Sequence, residues 1–427
     1  MRIAKKCRGY VALSLITLAI SLVIHAPAAS NPLRGIIDYS DLISIFNNRI
    51  MPHVEVELIN NGTSYTLYLY EKAADPCGLP YVDYFFEYPV ISAGAFYASS
   101  CLGKTVASIV SEGTPPNHLI TLCFYAVMSA LLGAFFLLSV YLFARVVELS
   151  NVPGKRVLPY ILSPSMAVYL VYNFDIIAVA LMLAALYCCL RGRPFLSGLF
   201  FGLSVSAKII PVAVAYVVFL TLLRMREWFK TLSYILGGVA GIAPLALHAL
   251  LSPESFFAIY SYVSGWYCEN CIYMWFVPDI FSPLHRTAFL LIGSAVALTT
   301  AVYVLKGRTV NMYVAMLAAT YAVTVFNYIN PPQYFLLILP LALLAIPNNS
   351  VFSYPLLLVS DVLNALFIAM FITDPIIREL LGQTPLYAPW YVRSVAQPFY
   401  LERNILLILL LLLCVRKPKV SSRPEDR

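Results

Sequence analysis

The sequence has too few charged residues for a water-soluble protein. Only 11% of its 427 residues are Asp, Glu, Lys or Arg, whereas 61% are hydrophobic. Soluble domains carry about 25% charged residues, so this chain cannot cover a core with a surface that faces water. A lipid bilayer is the solvent that fits such a composition. The net charge of +7 therefore indicates basic loops of a membrane protein rather than nucleic-acid binding.

Sequence motifs for nucleotide and metal binding are also missing. There is no GxxxxGKS or GxxxxGKT phosphate loop and no HExxH zinc motif, and the five His residues are scattered without metal-ligand spacing. Cys268-x-x-Cys271 resembles one half of a zinc knuckle, but no second pair completes it. We therefore expect no cofactor and no metal requirement.

Apolar runs alternate with basic clusters along the whole chain. Cytoplasmic loops of membrane proteins are enriched in Lys and Arg, so placing every basic cluster inside predicts the orientation. Both termini are then cytoplasmic, with residues 416–427 as a basic tail, and residues 30–117 form the first outer loop. Residues 252–286 and 373–400 are also predicted outside. The first apolar run could be a signal peptide, but we expect an uncleaved helix because the rest of the chain is membrane-embedded.

These patterns predict an all-α polytopic membrane protein with about twelve transmembrane helices in a single domain, residues 1–427. A further helix over 89–110, interrupted at Gly103-Lys104, is expected beside the membrane in the first outer loop. The predicted transmembrane helices are 10–29, 118–144, 157–172, 174–190, 195–207, 209–223, 231–251, 287–305, 310–327, 332–346, 351–372 and 401–415.

Two predicted segments are too short to cross the bilayer and return. Residues 195–223 must leave and re-enter the cytoplasmic face, yet each arm reaches only ~20 Å, against a hydrocarbon core of ~30 Å. We expect a hairpin of two short helices that meet at Lys208-Ile209-Ile210-Pro211. Residues 157–190 are expected to turn similarly at Tyr172-Asn173-Phe174-Asp175. Such broken helices are tolerated where they line a water-filled cavity.

Ionisable side chains at these two breaks are strong candidates for function. Asp175 and Lys208 are predicted at membrane depth, where a charge is costly unless it is paired or hydrated. A structural ion pair is one interpretation. The other is a pocket in which Lys208 binds a phosphate and the acid binds a polar ligand.

The first outer loop places more carboxylates near the membrane. Asp38 and Asp41 follow the first helix, and Glu87-Tyr88-Pro89 precedes the next membrane entry. A solvated acidic loop would explain these residues if they stood alone. Other polar residues predicted on the same side are Glu269, Gln333, Tyr334 and Arg393.

Four of the nine cysteines are predicted outside: Cys77, Cys101, Cys268 and Cys271. Because this is an even number in an oxidising compartment, we expect at least one disulfide. Four cysteines allow three pairings, which the sequence leaves open. Bridges between separate segments are slightly favoured over the close bond between Cys268 and Cys271.

Several short blocks occur in the order found in GT-C glycosyltransferases. They are Tyr39-Ser40-Asp41-Leu42, Phe86-Glu87-Tyr88-Pro89, Tyr172-Asn173-Phe174-Asp175, Lys208-Ile209-Ile210-Pro211 and Pro332-Gln333-Tyr334. The chain thus resembles the polyprenyl-phosphate-mannose-dependent enzymes of glycosyltransferase family 87 and, more distantly, the GPI mannosyltransferases. Val90 departs from the pattern, because those proteins usually carry a second Pro after Tyr-Pro.

The resemblance implies a GT-C-like helical bundle and an inverting enzyme. Such an enzyme moves a hexose, expected to be mannose, from a polyprenyl-phosphate carrier to a lipid, glycan or protein acceptor on the non-cytoplasmic face. The implied catalytic acids are Asp41 and Asp38. The candidate substrate-binding residues are Glu87, Tyr88, Asn173, Asp175, Lys208, Gln333 and Tyr334, which lie in the matching blocks, together with Glu269 and Arg393 of the predicted outer loops.

Asp41 is preferred to Asp38 as the general base. Asp41 stands in the Ser-Asp-Leu context of the resemblance, and Leu42 and Phe46 offer an apolar face that would anchor a helix. Asp38 is four residues from Arg34 and is the better candidate for an ion pair with it.

Two other functions remain open at this point. Paired ionisable groups at broken helices also suit a secondary transporter or a flippase of lipid-linked sugars. The long outer loop with carboxylates and the lack of an internal repeat argue against transport. A non-catalytic subunit of an envelope-glycan assembly is the other alternative.

Overall fold

A computed structural model describes residues 2–27, 40–50, 57–60, 63–66, 75–307, 310–348, 350–382 and 391–416. In these ranges the chain forms sixteen α-helices and one antiparallel hairpin of two four-residue strands, β1 (Glu57–Asn60) and β2 (Thr63–Thr66). The predicted all-α polytopic fold is confirmed, with this hairpin as the one addition among the described residues. Asp38 and its predicted partner Arg34 lie outside the described ranges.

The helices are α1 (Arg2–Ile24), α2 (Asp41–Ile50), α3 (Val90–Val110), α4 (Asn117–Leu149), α5 (Val157–Ile161), α6 (Pro164–Tyr169), α7 (Asp175–Leu190), α8 (Pro194–Ala207), α9 (Val212–Arg224), α10 (Trp228–Leu251), α11 (Pro253–Gly265), α12 (Leu284–Lys306), α13 (Met312–Val323), α14 (Phe335–Ala345), α15 (Ser353–Leu380) and α16 (Gln397–Arg416). Short 3-10 turns lie at Gly154–Arg156, Ile272–Trp275 and Pro332–Tyr334.

The helices differ in whether they can cross a membrane alone. Among the described residues, α4, α10, α12, α15 and α16 are long and apolar enough to do so. Helices α7, α8, α9, α13 and α14 are apolar but shorter. A 14-residue helix is only ~21 Å long, so these helices need neighbours or connecting segments to complete the span. The chain is a multi-pass membrane protein in which half-length helices are common.

Both predicted breaks are confirmed. Helix α8 ends at Ala207 and α9 begins at Val212, so the break falls at Lys208 as expected. The main neighbours of the two arms differ: α8 packs on α7 and α10, whereas α9 packs on α12 and α13. The two arms therefore have different main packing partners, and the close backbone contact of α8 with α10 is the tighter of the two.

The segment predicted as one helix over 157–172 is two short helices. Ser163 caps α6 by accepting a hydrogen bond from the Met166 amide at 3.1 Å, and Pro164 begins the helix. A cap followed by proline starts a new helix, which explains the interruption. The carboxylate of Asp361 in α15 accepts hydrogen bonds from the Ser163 hydroxyl and the Ser165 amide, both at 2.9 Å. This buried acid anchors the break.

Helix α3 is continuous, contrary to the predicted interruption at Gly103-Lys104. A side chain at Gly103 would lie 2.7 Å from the backbone of Phe124 in α4. The glycine therefore permits close packing of α3 on α4 and does not break the helix. Helix α2 agrees with the helix expected from the apolar face of Leu42 and Phe46, whereas α11, in a segment predicted outside, was not predicted as a helix.

Two disulfides confirm the expectation of at least one disulfide among the four cysteines predicted outside. Cys77 joins Cys101, which ties the end of the first loop to α3, and Cys268 joins Cys271. The first is a bridge between segments, as favoured from the sequence. The preference against the close Cys268–Cys271 bond is wrong, because the loop between the two residues brings their Cα atoms within 5.6 Å.

Glycines bring α8 and α10 into backbone contact. An added side-chain carbon at Gly198 would lie 2.0 Å from the Tyr234 carbonyl oxygen, and one at Gly202 would lie 2.5 Å from the Gly238 carbonyl oxygen. On α10, carbons at Gly237 and Gly241 would meet carbonyl oxygens of α8 at 2.0 and 2.2 Å. Such small-xxx-small packing is a common way for helices to associate in lipid, where the hydrophobic effect gives no attraction between them. This contact fixes the end of α8, where Lys208 lies.

We predict that Gly198→Ala destabilises the protein whereas Gly238→Ala does not. The new methyl group at 198 must separate the helices, at a cost of roughly 1–3 kcal/mol. At Gly238 the nearest atom is 4.0 Å away, so alanine fits and improves helix propensity. Thermal unfolding of both variants in detergent measures the difference. Equal midpoints for the two variants would contradict the packing account.

Candidate functional site

Helix α2 places Asp41 at its first residue. Leu42 and Phe46 are fully buried and form the predicted apolar face. The Leu42 amide donates a hydrogen bond to the Tyr172 carbonyl at 3.2 Å, which docks the start of α2 on the segment between α6 and α7. Asp41 is thereby brought to the break that precedes Asp175.

Asn173 links Asp41 to Tyr88. The Asn173 side-chain oxygen accepts a hydrogen bond from the Phe174 amide at 2.6 Å, which fixes the orientation of the amide group. Its nitrogen then donates to Asp41 Oδ2 at 3.0 Å and to the Tyr88 hydroxyl at 2.8 Å. Both amide hydrogens are used, so the fully buried Asn173 holds the Asp41 carboxylate in one position.

Asp175 and Lys208 form a buried ion pair next to this group. Their charged atoms are 2.9 Å apart, and the Asp175 side chain is fully buried. Asp175 begins α7 and Lys208 follows α8, so the acid lies at a helix N-terminus and the base at a C-terminus, where each is favoured. The Lys208 ammonium also lies 5.4 Å from the ring centroid of Tyr88 and 5.0 Å from that of Tyr334. Cation–π attraction from two aromatic rings adds to the pairing.

Glu269 enters from the loop between α11 and α12. Its amide donates to the Tyr328 carbonyl and its carbonyl accepts from the Asn330 amide, both at 2.9 Å, so the loop forms a parallel bridge to the segment before α14. The indole of Trp266 donates to the Glu269 carboxylate at 2.9 Å. The pKa of Glu269 is raised to about 7, mainly by burial; the hydrogen bond from Trp266 and the Lys208 charge lower the pKa, whereas the Asp41 charge raises it. This acid can therefore exchange a proton near neutral pH.

The residues that the structure brings together come from six distant parts of the chain. We call them the polar cluster: Asp41, Tyr88, Asn173, Asp175, Lys208, Glu269 and Tyr334. Gln333 precedes Tyr334 in the same turn and is buried. No ligand set for a metal is required to explain these contacts.

Two sequence candidates that the structure describes are not part of the polar cluster. Glu87 pairs with Arg49 of α2 at 3.3 Å, so it braces α2 from the side. Arg393 has an exposed side chain, and its carbonyl accepts a hydrogen bond from Arg378. It belongs to the corner between α15 and α16, where the ion pair of Arg378 and Asp374 sets the turn. Asp38 lies outside the described residues.

The sequence interpretation missed Trp266 as a partner of Glu269 and missed Arg403. Arg403 lies inside a predicted transmembrane helix, and an ionisable residue at such depth is a functional candidate by default. That signal was present and would have found it.

Three residues with potential metal-ligand atoms lie in and after the loop that carries Glu269. Ligand atoms of Cys268, Cys271 and His285 lie within 4.8 Å of one another. His285 is the third potential ligand that the half knuckle lacked. Both thiols are consumed by the Cys268–Cys271 disulfide, however, so the group acts as a covalent closure of the Glu269 loop.

The chain was compared with known proteins. No protein-family model and no curated protein matches it. Among solved structures it is similar to the crystal structure of ArnT from Cupriavidus metallidurans bound to undecaprenyl phosphate, with 13% sequence identity and a TM-score of 0.39. The match covers 95% of this chain and 76% of that one. At this distance no residue role passes from one chain to the other.

We predict that Glu269 makes the protein less stable as the pH rises from about 4.5 to about 7. The unfolded chain releases the proton near the ordinary pKa of 4.5, whereas the folded protein keeps it until about pH 7, so folding is favoured less at higher pH. Unfolding midpoints measured from pH 5 to 8 should fall in the wild type and fall less in Glu269→Gln. The control is Glu254→Gln, an exposed acid of α11. If both variants follow the wild-type slope, Glu269 is not the responsible group.

A second prediction concerns the ion pair. Lys208→Met should destabilise the protein by about 3–5 kcal/mol, because it leaves the Asp175 charge buried without a partner. Adding Asp175→Asn should recover most of the loss, since neither charge then remains. Unfolding midpoints of the two single variants and the double variant measure the coupling. Purely additive losses would mean that the two side chains do not depend on each other.

Proposed function

We propose that this chain is a membrane-embedded glycosyltransferase of the GT-C kind, which moves a hexose from a polyprenyl-phosphate carrier to an acceptor hydroxyl. The observation that carries the proposal is the contact of Asp41 with Asn173, residues 132 positions apart, next to the buried Asp175–Lys208 pair. A carboxylate held in place beside a buried cation suits the transfer of a sugar from a phosphate leaving group. The motif order noted in the sequence supports the same class.

Asp41 is the proposed general base. Its carboxylate is oriented by Asn173 and lies at the start of α2. It takes the proton from the acceptor hydroxyl as the oxygen attacks the anomeric carbon of the sugar. The bond from that carbon to the phosphate oxygen breaks, and polyprenyl phosphate leaves with the bonding electrons. Attack from the side opposite the phosphate inverts the anomeric centre.

Lys208 is the proposed electrostatic partner of the leaving phosphate. A phosphate is a good leaving group that gains more from a fixed positive charge than from a proton donor. The pair with Asp175 and the rings of Tyr88 and Tyr334 hold the ammonium group in advance, so little reorganisation is needed during transfer. Glu269, close to half protonated near pH 7, can donate to or accept from a sugar hydroxyl.

The finer features of the proposal follow from the resemblance and, for the orientation in the membrane, from the charge pattern. They are mannose as the sugar, an active site on the non-cytoplasmic face, cytoplasmic termini, and a lipid, glycan or protein as acceptor. A transporter of lipid-linked sugars and a non-catalytic subunit are the competing functions. Purified protein incubated with a synthetic polyprenyl-phosphate mannose and a mannoside acceptor separates them, because only the enzyme releases polyprenyl phosphate as the acceptor gains a sugar.

We predict that Asp41→Asn lowers turnover in this assay by ~10²–10⁴-fold, because asparagine keeps the shape of the side chain but cannot accept the proton. Binding of the donor should change little, since the cation and the rings remain. The matched control is Asp279→Asn, an exposed acid of the loop before α12, which should retain full activity. Wild-type turnover in the Asp41 variant would remove this residue as the base. Equal losses in both variants would point to damage to the fold.

A further inference from the structure

Arg403 of α16 is a buried cation without an ion-pair partner among the described residues. Its side chain is fully buried. None of its three guanidinium nitrogens has a hydrogen-bond acceptor within the part of the chain that the structure describes. It is also absent from the ion pairs found there. Its neighbour Glu402 is exposed and does not serve as a counter-ion.

Aromatic rings are the main surroundings of this guanidinium. Its central carbon lies 4.3 Å from the ring centroid of Tyr400 and 5.8 Å from that of Phe335. The faces of these rings attract a cation but accept no strong hydrogen bonds. A buried charge of this kind is costly to keep in a membrane protein unless a ligand pairs with it.

Arg403 is flanked on α16 by residues that contact the loops of the polar cluster. Gln397, Tyr400 and Asn404 share one face of the helix, at spacings of three and four residues. Gln397 donates to the Asn270 side chain at 2.8 Å, directly beside Glu269. Tyr400 donates to the Asn330 carbonyl, and Asn330 in turn donates to the Asn404 side chain at 3.4 Å. Three residues of α16 therefore hold the loops that carry Glu269 and Tyr334.

Other unused polar atoms accompany the guanidinium. The Asn404 nitrogen is buried without an acceptor, and the side-chain oxygens of Asn330 and Gln333 are buried without a donor, among the described residues. Asn404 and Arg403 offer donors, which suit phosphate oxygens. Asn330 and Gln333 offer acceptors, which suit sugar hydroxyls. A sugar phosphate needs both.

Lys208 shares its charge with Asp175, so a phosphate beside it would gain from a second cation, and Arg403 is a cation without an ion-pair partner among the described residues. We propose that Arg403 binds the phosphate of the lipid carrier and that Asn330, Gln333 and Asn404 form the adjoining polar wall. This proposal rests on the proposed function for the identity of the lipid. The chemistry recognised is a phosphate ester, and the prenyl chain is what distinguishes the carrier from free phosphate. Arginine suits this role because its planar fork of donors matches phosphate oxygens.

The test measures binding by the full-length protein in detergent, without any transfer reaction. The probes are a polyprenyl phosphate, the same polyprenol without phosphate, and inorganic phosphate. We expect Arg403→Gln to weaken binding of the polyprenyl phosphate by about 10–100-fold and to leave polyprenol binding unchanged. Arg403→Lys should bind with intermediate affinity. Stabilisation of the wild type by inorganic phosphate alone would assign the site to free phosphate and overturn the lipid assignment.

Arg156 supplies the matched control. It is the other large, fully buried arginine, but its guanidinium donates to the Leu343 carbonyl and to Asn348 Oδ1 at 2.7 Å. Arg156→Gln should lower the unfolding midpoint and spare lipid binding. Arg403→Gln should keep or raise the midpoint without ligand, because it removes an unpaired charge.

Two results would overturn the proposal. One is wild-type affinity of Arg403→Gln for the polyprenyl phosphate. The other is a loss of stability in Arg403→Gln equal to that in Arg156→Gln, which would make Arg403 structural. Binding that depends on Arg403 in a protein that transfers no sugar would refute the proposed enzyme while the phosphate site stands.

Discussion

The ion pair of Asp175 and Lys208 joins two helix ends inside the buried part of a largely apolar chain. A charge in hydrocarbon must be paired or hydrated, and here each partner also lies at the favourable end of its helix dipole. The pairing requires α7 to begin and α8 to end at the same level. The half-length helices, the backbone contact of α8 with α10 and the docking of α2 are arranged around that requirement.

The breaks between the helices place polar side chains at the candidate site. Each break exposes backbone groups that a continuous helix would satisfy, and polar side chains such as Asn173 and Ser163 satisfy them. The same side chains then orient carboxylates, because Asn173 donates to Asp41. Loops from the other half of the chain, carrying Glu269 and Tyr334, complete the enclosure. The helix α16 ties these loops together through Gln397, Tyr400 and Asn404.

Much of this could be predicted from charge and hydropathy alone. The breaks at Asp175 and Lys208 follow from segment length, and the docking of α2 follows from the apolar positions of Leu42 and Phe46. Other contacts could not be predicted. Glu87 forms an ion pair with Arg49, and the side chain of Arg393 is exposed. Such contacts depend on packing between residues far apart in the sequence, as does the glycine contact between α8 and α10. The sides of the membrane remain a prediction of the charge pattern.

The central claim is that one buried site holds both a lipid phosphate and the base that activates the acceptor. An electron cryo-microscopy map of the protein with bound polyprenyl phosphate tests it most directly. The account predicts phosphate density within hydrogen-bond distance of the Arg403 guanidinium or the Lys208 ammonium, on the side of the cluster where Asp41 lies. Phosphate density at another place in the bundle, with Arg403 and Lys208 still enclosed by protein, would contradict it.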